Sequence, residues 1–576
     1  MLKTLSKCIG EYKKSSLLCM FTVCLETVLE IMIPLLMASL IDKGIEAGNI
    51  DEVFKYGGMM LGCAVLTVIC GYLAGKNAAK ASTGFAKNLR KREYEQIQTF
   101  SFSNIDKFSA GGLITRLTTD VTNVQNAYQM IIRTLVRSPI NLLCALTMAF
   151  MISKRLSLIF VVAIVFLIFA LGTIIVCAMK YFRQLFPKYD LLNESVQENV
   201  GAVRVVKSFV REDYEKEKFK KKADDLAYIS KKAESVLAFN NPSMMFAVYT
   251  CILMLSWFGA KFIVVGDLTT GQLTSLFSYV MNILMSLMML SMVFVMITMS
   301  VESANRIVEV INEESDIKNN DHPIYEVKDG SIEFKNVNFA YKYSSGDPIL
   351  KDINLKINSG ETIGIIGPTG SSKSSFVSLI SRLYDVTSGE LLVGDENVKD
   401  YDLVTLRDKV AVVLQNNVLF SGTILDNLRW GNKEATDEEC KEACKLACAD
   451  EFIDRFEEGY NTYIEQGGSN VSGGQKQRLC IARALLKQPK VLILDDSTSA
   501  VDTATDASIQ EAFKTKIPDV TKIIISQRIS SVQSANRIIV LDDGKVTGFD
   551  SHENLLKTNE IYKDIYKLQT SGKEEM

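Results

Sequence analysis

The chain has 576 residues, enough for several domains, and 48% of them are apolar, the upper edge of what a soluble protein carries. A net charge of -3 without a long basic run argues against a surface made for nucleic acid. Twelve cysteines in a chain this long argue against a small disulfide-framed secreted fold and read as small hydrophobes.

The apolar excess lies before about residue 305, so the two parts are read separately. Met1 to Tyr12 form a short amphipathic stretch suited to a membrane interface. The apolar run after it is too long, and too weakly basic at its front, for a cleaved signal peptide, and reads as a first span. Six windows qualify: residues 16–38, 56–75, 134–152, 157–179, 242–265 and 272–298. Short loops join them in pairs, whereas long connections follow the second and fourth. Both are rich in helix formers and in cations, with Lys87, Arg90, Lys91 and Arg92 in one and Lys216, Lys218, Lys220, Lys221 and Lys222 in the other. That excess places the connections in the cytoplasm, and the acidic loop at Asp42, Glu46, Asp51 and Glu52 outside. Bends at Phe108–Asp120 and Gly201–Glu212 suit either force-carrying extensions or plain solvated hairpins.

Glu26 and Glu30 share one face of the first span, where carboxylates are costly unless they meet a cavity or a partner. They are candidate residues of a substrate cavity, with a wet wall or an interhelical hydrogen bond as the alternative. Span six carries Met281, Met285, Met288, Met289, Met292, Met296 and Met299, which suit an adaptable pathway, lipid contact or helix packing equally.

From about Tyr325 short apolar strands alternate with helical stretches, an α/β pattern with turn signals such as Ser345-Gly346-Asp347-Pro348. The apolar run Thr362–Ile366 leads into Gly367, Pro368, Thr369, Gly370, Ser371, Ser372, Lys373, Ser374 and Ser375, and then into an apolar helix. A glycine-rich turn between strand and helix offers backbone N–H groups and a positive helix end to phosphates. Lys373 adds a point charge, and the Ser374 hydroxyl suits Mg²⁺. Strict Walker A sequences have Gly at Ser372. A second run, Val491–Leu494, delivers Asp495 as a Walker B carboxylate. Between them, Val471-Ser472-Gly473-Gly474-Gln475 opens a helical segment.

With that signature the chain resembles an ABC transporter, of the exporter type in which a six-helix membrane domain precedes an α/β P-loop nucleotide-binding domain. The resemblance implies ATP and Mg²⁺ as ligands and places Tyr341 on adenine, Gln415 at Mg²⁺ or water, Ser374 and Asp495 at the metal, and Asp502 in the D-loop Ser499–Asp502. Glu465, Gly467 and Gly468 resemble the loop that meets the extensions. It further implies a bacterial cell-membrane protein with a cytoplasmic nucleotide domain, and closure against a second half-transporter whose ATP meets Ser472, Gly473, Gly474 and Gln475. Expected boundaries are 1–305 for the membrane domain, 306–329 for a linker, 330–570 for the nucleotide domain and 571–576 for a tail.

Active members of the family have Glu where this chain has Asp496, and His where it has Gln527. The aspartate reaches about 1.5 Å less, one carbon–carbon bond, and glutamine carries no titrating proton. These departures lead to the expectation of a degenerate site with weak hydrolysis, in one subunit of a heterodimeric multidrug-type exporter whose non-identical partner supplies Glu and His. The expected cargo is an apolar or amphipathic small molecule, a lipid or a peptide. An ATP-gated regulator or channel and an active homodimer are the other readings. Cys440, Cys444 and Cys448 read as packing, and His322 and His552 as surface residues.

Overall fold

The computed structural model describes residues 1–342, 347–496 and 501–571, so Ser345, Gly346, Ser499, Ala500 and the end of the expected tail lie outside the described residues. It divides into two units, Met1–Gln98 with Gly111–Glu313, and Thr99–Ala110 with Glu314–Met576.

The first unit is helical. Its long elements are α1 (Lys13–Leu40), α2 (Ile50–Gln98), α3 (Val136–Ile152), α4 (Lys154–Gly201), α5 (Asn240–Val265) and α6 (Thr270–Asn312). Among the described residues, six helical stretches are long and apolar enough to cross a membrane. Helices satisfy every backbone group internally, which lipid demands. Pro34 removes one such donor from α1. Beside it, Tyr279 Oη donates to the Ile31 carbonyl at 3.1 Å and Ser275 Oγ to the Pro34 carbonyl at 2.5 Å, so α6 fastens to α1 at the interruption. Fully buried Ala74, Ala78 and Ala81 give α2 a flat face that packs on Cys19 and Val23 of α1. Both long connections are largely helical. After α4 the chain turns through a short helix, Val203–Ser208, and returns along Glu212–Leu237, where Lys218 meets Glu198 at 3.2 Å and Lys188 meets Asp225 at 2.6 Å.

The second unit contains two sheets. One is antiparallel and built on β1 (Ile332–Phe339), β2 (Leu350–Ile357) and β4 (Ser388–Val393), with β1 central. The other holds β3 (Thr362–Ile366), β5 (Val410–Val413), β6 (Val491–Asp495), β7 (Thr521–Ile525), β8 (Arg537–Asp542) and β9 (Lys545–Asp550), in the order β9-β8-β3-β7-β6-β5. Only β9 runs antiparallel to its neighbour there. Strands β3, β6 and β7 are apolar on both faces, as a parallel sheet covered on both sides requires. In register, Ile525 lies beside Ile365 on one side and Asp495 on the other. Three strand ends therefore open at one edge, where open α/β sheets bind ligands.

The short helix Phe102–Phe108 follows α2 in the chain but belongs to this second unit. Ser101 and Asn104 form its capping box, and Asp106 accepts a 2.7 Å hydrogen bond from Tyr384 Oη.

Candidate functional site

The glycine-rich loop leaves β3 and enters α7 (Lys373–Ile380). A side chain at Gly367 would place its Cβ 2.1 Å from the Leu541 carbonyl, so this position accepts only glycine. Ser372 is left-handed, at φ 69°, ψ 25°. Glycine fits that conformation without cost, whereas serine is strained there by about 1 kcal/mol. Lys373 Nζ donates to the carbonyls of Gly367 at 2.9 Å and Pro368 at 2.8 Å. Burial pulls its ammonium below the usual lysine range, opposed by the charges of Asp496 and Asp495.

A cavity of about 400 Å³ gathers most of the expected residues: Thr369 to Ser375 of the loop, Tyr341, Gln415, Asp495, Asp496 and Gln527. Sequence reasoning missed Ile349 and Ile525 in its wall, since apolar residues beside a turn and at a strand end carry no distinguishing signal. Tyr341 shares a 2.9 Å hydrogen bond with Ser375 and meets Tyr384 edge to face. Burial pushes the Asp495 carboxyl up, partly offset by a hydrogen bond from Ser374. Asp496 is pushed up by burial too, against hydrogen bonds from Gln415 and Gln527, the latter 3.3 Å from Nε2 to Oδ2. Asp496 sits at φ 47°, a conformation aspartate tolerates better than most residues. Two carboxylates held above their ordinary range mark negative charge that a cation would stabilise. The donors nearby are hydroxyl, carboxylate and amide oxygens, which fit Mg²⁺ through Ser374, Asp495 and Gln415.

The signature lies outside this cavity. Ser472 is the N-cap of α8 (Gly473–Leu485): its Oγ accepts from Gln475 N at 3.3 Å while Gln475 Oε1 accepts from Ser472 N at 2.9 Å. This reciprocal box leaves the exposed helix start at Gly473 free to face an anion. Val471 is buried in the core beneath. Asp502 likewise caps α9 (Thr503–Lys516), accepting from Thr505 N at 3.0 Å. Glu465 is engaged locally, by Ser469 at 2.6 Å. His552 is not a free surface residue: its Nδ1 shares a 2.7 Å hydrogen bond with buried Tyr562. Cys440 and Cys444 pack in the core, where burial pushes both thiols up.

In the membrane unit Glu26 and Glu30 do have a partner. Arg137 of α3 donates Nη1 to Glu26 Oε1 at 2.9 Å and Nη2 to Glu30 Oε2 at 2.6 Å. The signal was available, since a lone arginine in an apolar span demands a counter-charge. Among the described residues, buried Glu26 Oε2 lacks a hydrogen-bond partner, and the three side chains together carry one excess negative charge.

Residues 16–299 match the family described as the ABC transporter transmembrane region, and residues 350–499 match the one described as ABC transporter. The chain belongs to the ABC transporter family. It is 35% identical over 544 residues, 94% of each chain, to the uncharacterised ABC transporter ATP-binding protein YfiB of Bacillus subtilis. To the ATP-dependent lipid A-core flippase of Syntrophus aciditrophicus it is 30% identical over 501 residues, 87% of this chain and 83% of that one. In fold it is similar to a bacterial Atm1-family ABC exporter with ATP bound, with a TM-score of 0.84 and 22% identity over 97% of this chain and 99% of that one. The transporter is thus a multi-pass membrane protein with a cytoplasmic nucleotide domain, an ATP-hydrolysis-coupled translocase that binds ATP with Mg²⁺ and works as a dimer.

The expectation of an unequal pair is corrected. The transporter matches the fold of the Atm1-family exporter over nearly its whole length and the sequence of the flippase over 87% of it, and neither likeness is to the degenerate half of a heterodimeric multidrug-type exporter. The physical reason lies in the cavity. Asp496 and Gln527, taken from sequence as marks of a weakly hydrolysing site, are hydrogen-bonded to each other and, through Gln415, joined to the same constellation as Lys373. Asp496 and Gln527 thus form a connected carboxylate–amide pair in the same cavity, so their departure from the family pattern does not by itself call for a non-identical partner.

Proposed function

We propose that the transporter works as a symmetric pair of identical chains, each hydrolysing ATP, to export a small or lipid-like amphipathic molecule. The observation that carries this reading is the division of parts within one chain. Phosphate loop, metal-side carboxylate and water-side pair share one cavity, while an intact, capped signature stands apart from it. Two identical copies, each setting Ser472 to Gln475 against the other's loop, complete two equal sites.

Within each site Gly367 to Ser375 and Lys373 cradle the phosphates, and Tyr341 flanks the base. Ser374, Asp495 and Gln415 would hold Mg²⁺, which would neutralise phosphate charge there. Asp496 orients the attacking water, with Gln527 fixing its carboxylate. Asp502 holds the start of α9 beside the opposing copy. Phosphoryl transfer is largely positioning and electrostatics, so this division of labour suffices. The helix Phe102–Phe108, which follows α2 in the chain yet is held by Tyr384 of the second unit, supports a route from nucleotide closure to the membrane helices. For cargo, the likeness to a lipid flippase and the half-exposed thioethers of Met281, Met285, Met289 and Met292 on α6 support an adaptable apolar path.

The test is reconstitution of this chain alone in proteoliposomes. Expected are ATP turnover without any second gene product and vanadate trapping of two nucleotides per dimer. Turnover appearing only on addition of a different half-transporter would defeat the reading.

A further inference from the structure

The C-terminal helix α10 (Glu560–Ser571) is remote in sequence from the phosphate loop, yet one of its side chains grips the segment that carries Gln527. Gln569 Nε2 donates to the Gln527 carbonyl at 2.7 Å, and Gln569 Oε1 accepts from Ile529 N at 2.9 Å. One primary amide thus serves a backbone acceptor and a backbone donor two residues apart, which a carboxylate cannot do because it only accepts. The same turn is held from its other side, where Ser531 Oγ donates to buried Asp506 Oδ2 of α9 at 2.8 Å.

The helix that carries Gln569 is itself fixed. Tyr562 is fully buried and hydrogen-bonded to His552 at 2.7 Å, its N–H donates to Asn559 Oδ1 at 2.9 Å, and Ile561 and Ile565 pack against the core. The grip therefore has a rigid base. At its other end the Gln527 side chain contacts Asp496 at 3.3 Å. A carboxylate one methylene shorter than glutamate depends on such placement, because a displacement of about 1 Å costs on the order of a hundredfold in rate.

We propose that Gln569 is a positioning residue for ATP hydrolysis: from the last helix it sets the backbone of Gln527 and, through that side chain, the carboxylate of Asp496. The proposal rests on the reading that this chain's own site hydrolyses ATP. Turnover is then tied to the docking of α10.

The experiment uses the full chain in lipid nanodiscs, with Gln569→Leu, Gln569→Glu and Gln527→Ala, and Gln569→Leu combined with Gln527→Ala. Hydrogen exchange of the peptide covering residues 526–531 is expected to speed up about tenfold in Gln569→Leu, since a local opening loses its two closing bonds. Turnover should fall about tenfold in kcat with KM for ATP within about twofold, the pattern of a lost transition-state interaction. Gln569→Glu keeps length and packing but loses the donor, and should lose most of the same rate. In the Gln527→Ala background Gln569→Leu should cost nothing further, because both act through one side chain. Unchanged exchange in Gln569→Leu overturns the proposal whatever the turnover, and so does a full further loss of kcat in the Gln527→Ala background. Absence of turnover from the unmodified chain alone would instead count against the homodimer reading, leaving the exchange result to judge the grip.

Discussion

Two places in the molecule set a pair of carboxylates beside one cation, and they resolve the charge in opposite ways. In the membrane unit Arg137 spans Glu26 and Glu30 at 2.9 and 2.6 Å, so half of the carboxylate charge is cancelled inside the protein. In the nucleotide unit Lys373 donates to its own loop carbonyls, while Asp495 and Asp496 are held above their ordinary range by burial. The first cluster spends its cation on its own carboxylates, and the second needs a ligand. Residue types alone do not separate a structural cluster from a binding one; the direction in which the cation is spent does.

The sharpest way to break this contrast is Arg137→Met. Removing one member of a hydrogen-bonded charge cluster from an apolar span leaves the carboxylates uncompensated, and a loss of about 3 kcal/mol is expected in the free energy of unfolding in mixed micelles. Adding Glu26→Gln and Glu30→Gln should recover most of it. If Arg137→Met unfolds like the parent chain, the cluster is open to water or to a cationic cargo, and the two regions are alike after all.

Next in size is Asp496→Asn, which keeps the shape but turns one acceptor oxygen into a donor and removes the charge. A fall of about a hundredfold in kcat, roughly 2.7 kcal/mol of transition-state stabilisation, is expected, with ATP still bound. Loss of less than about threefold, a difference under 1 kcal/mol, would remove Asp496 from the hydrolytic centre.

A smaller effect is expected from pH. Because the carboxyl of Asp496 is raised, its proton is retained to a higher pH than an ordinary aspartate's, so turnover should rise with pH through an inflection above the usual value of 3.8. Gln527→His should add a second inflection near 6.5, the ordinary imidazole value, that the parent chain lacks. A parent profile already inflected there would show that another group controls turnover.

Much of this was legible in the sequence because the physics is local. The six spans follow from apolar length, and Gly367 to Ser375 announce a phosphate cradle through turn chemistry followed by a helix. The hydrogen bonds that decide how the parts work are non-local. Arg137 meets carboxylates more than a hundred residues away, and Gln569 meets Gln527 across forty-two positions of chain. Against a family pattern Asp496 and Gln527 are two departures far apart in the sequence. In the fold they are neighbours across adjacent parallel strands, since the Asp496 N–H donates to the Ile525 carbonyl at 3.1 Å. That adjacency makes a double substitution a pair.

The smallest expected effect sharpens the nucleotide side of the contrast. Ser372 occupies a left-handed position at φ 69° where a Cβ crowds the following carbonyl, and its side chain makes no capping hydrogen bond to α7. Ser372→Gly therefore removes local strain without removing a capping contact. It relaxes the folded state by about 1 kcal/mol, while the greater freedom of glycine in the unfolded chain returns part of that gain. The net shift in melting temperature should be upward and small, and kcat should change less than twofold, a difference of under about 0.5 kcal/mol. A rise in kcat of tenfold or more would mean that Ser372 throttles the cradle itself, and that the loop, rather than the Asp496–Gln527 pair, sets the rate of this site.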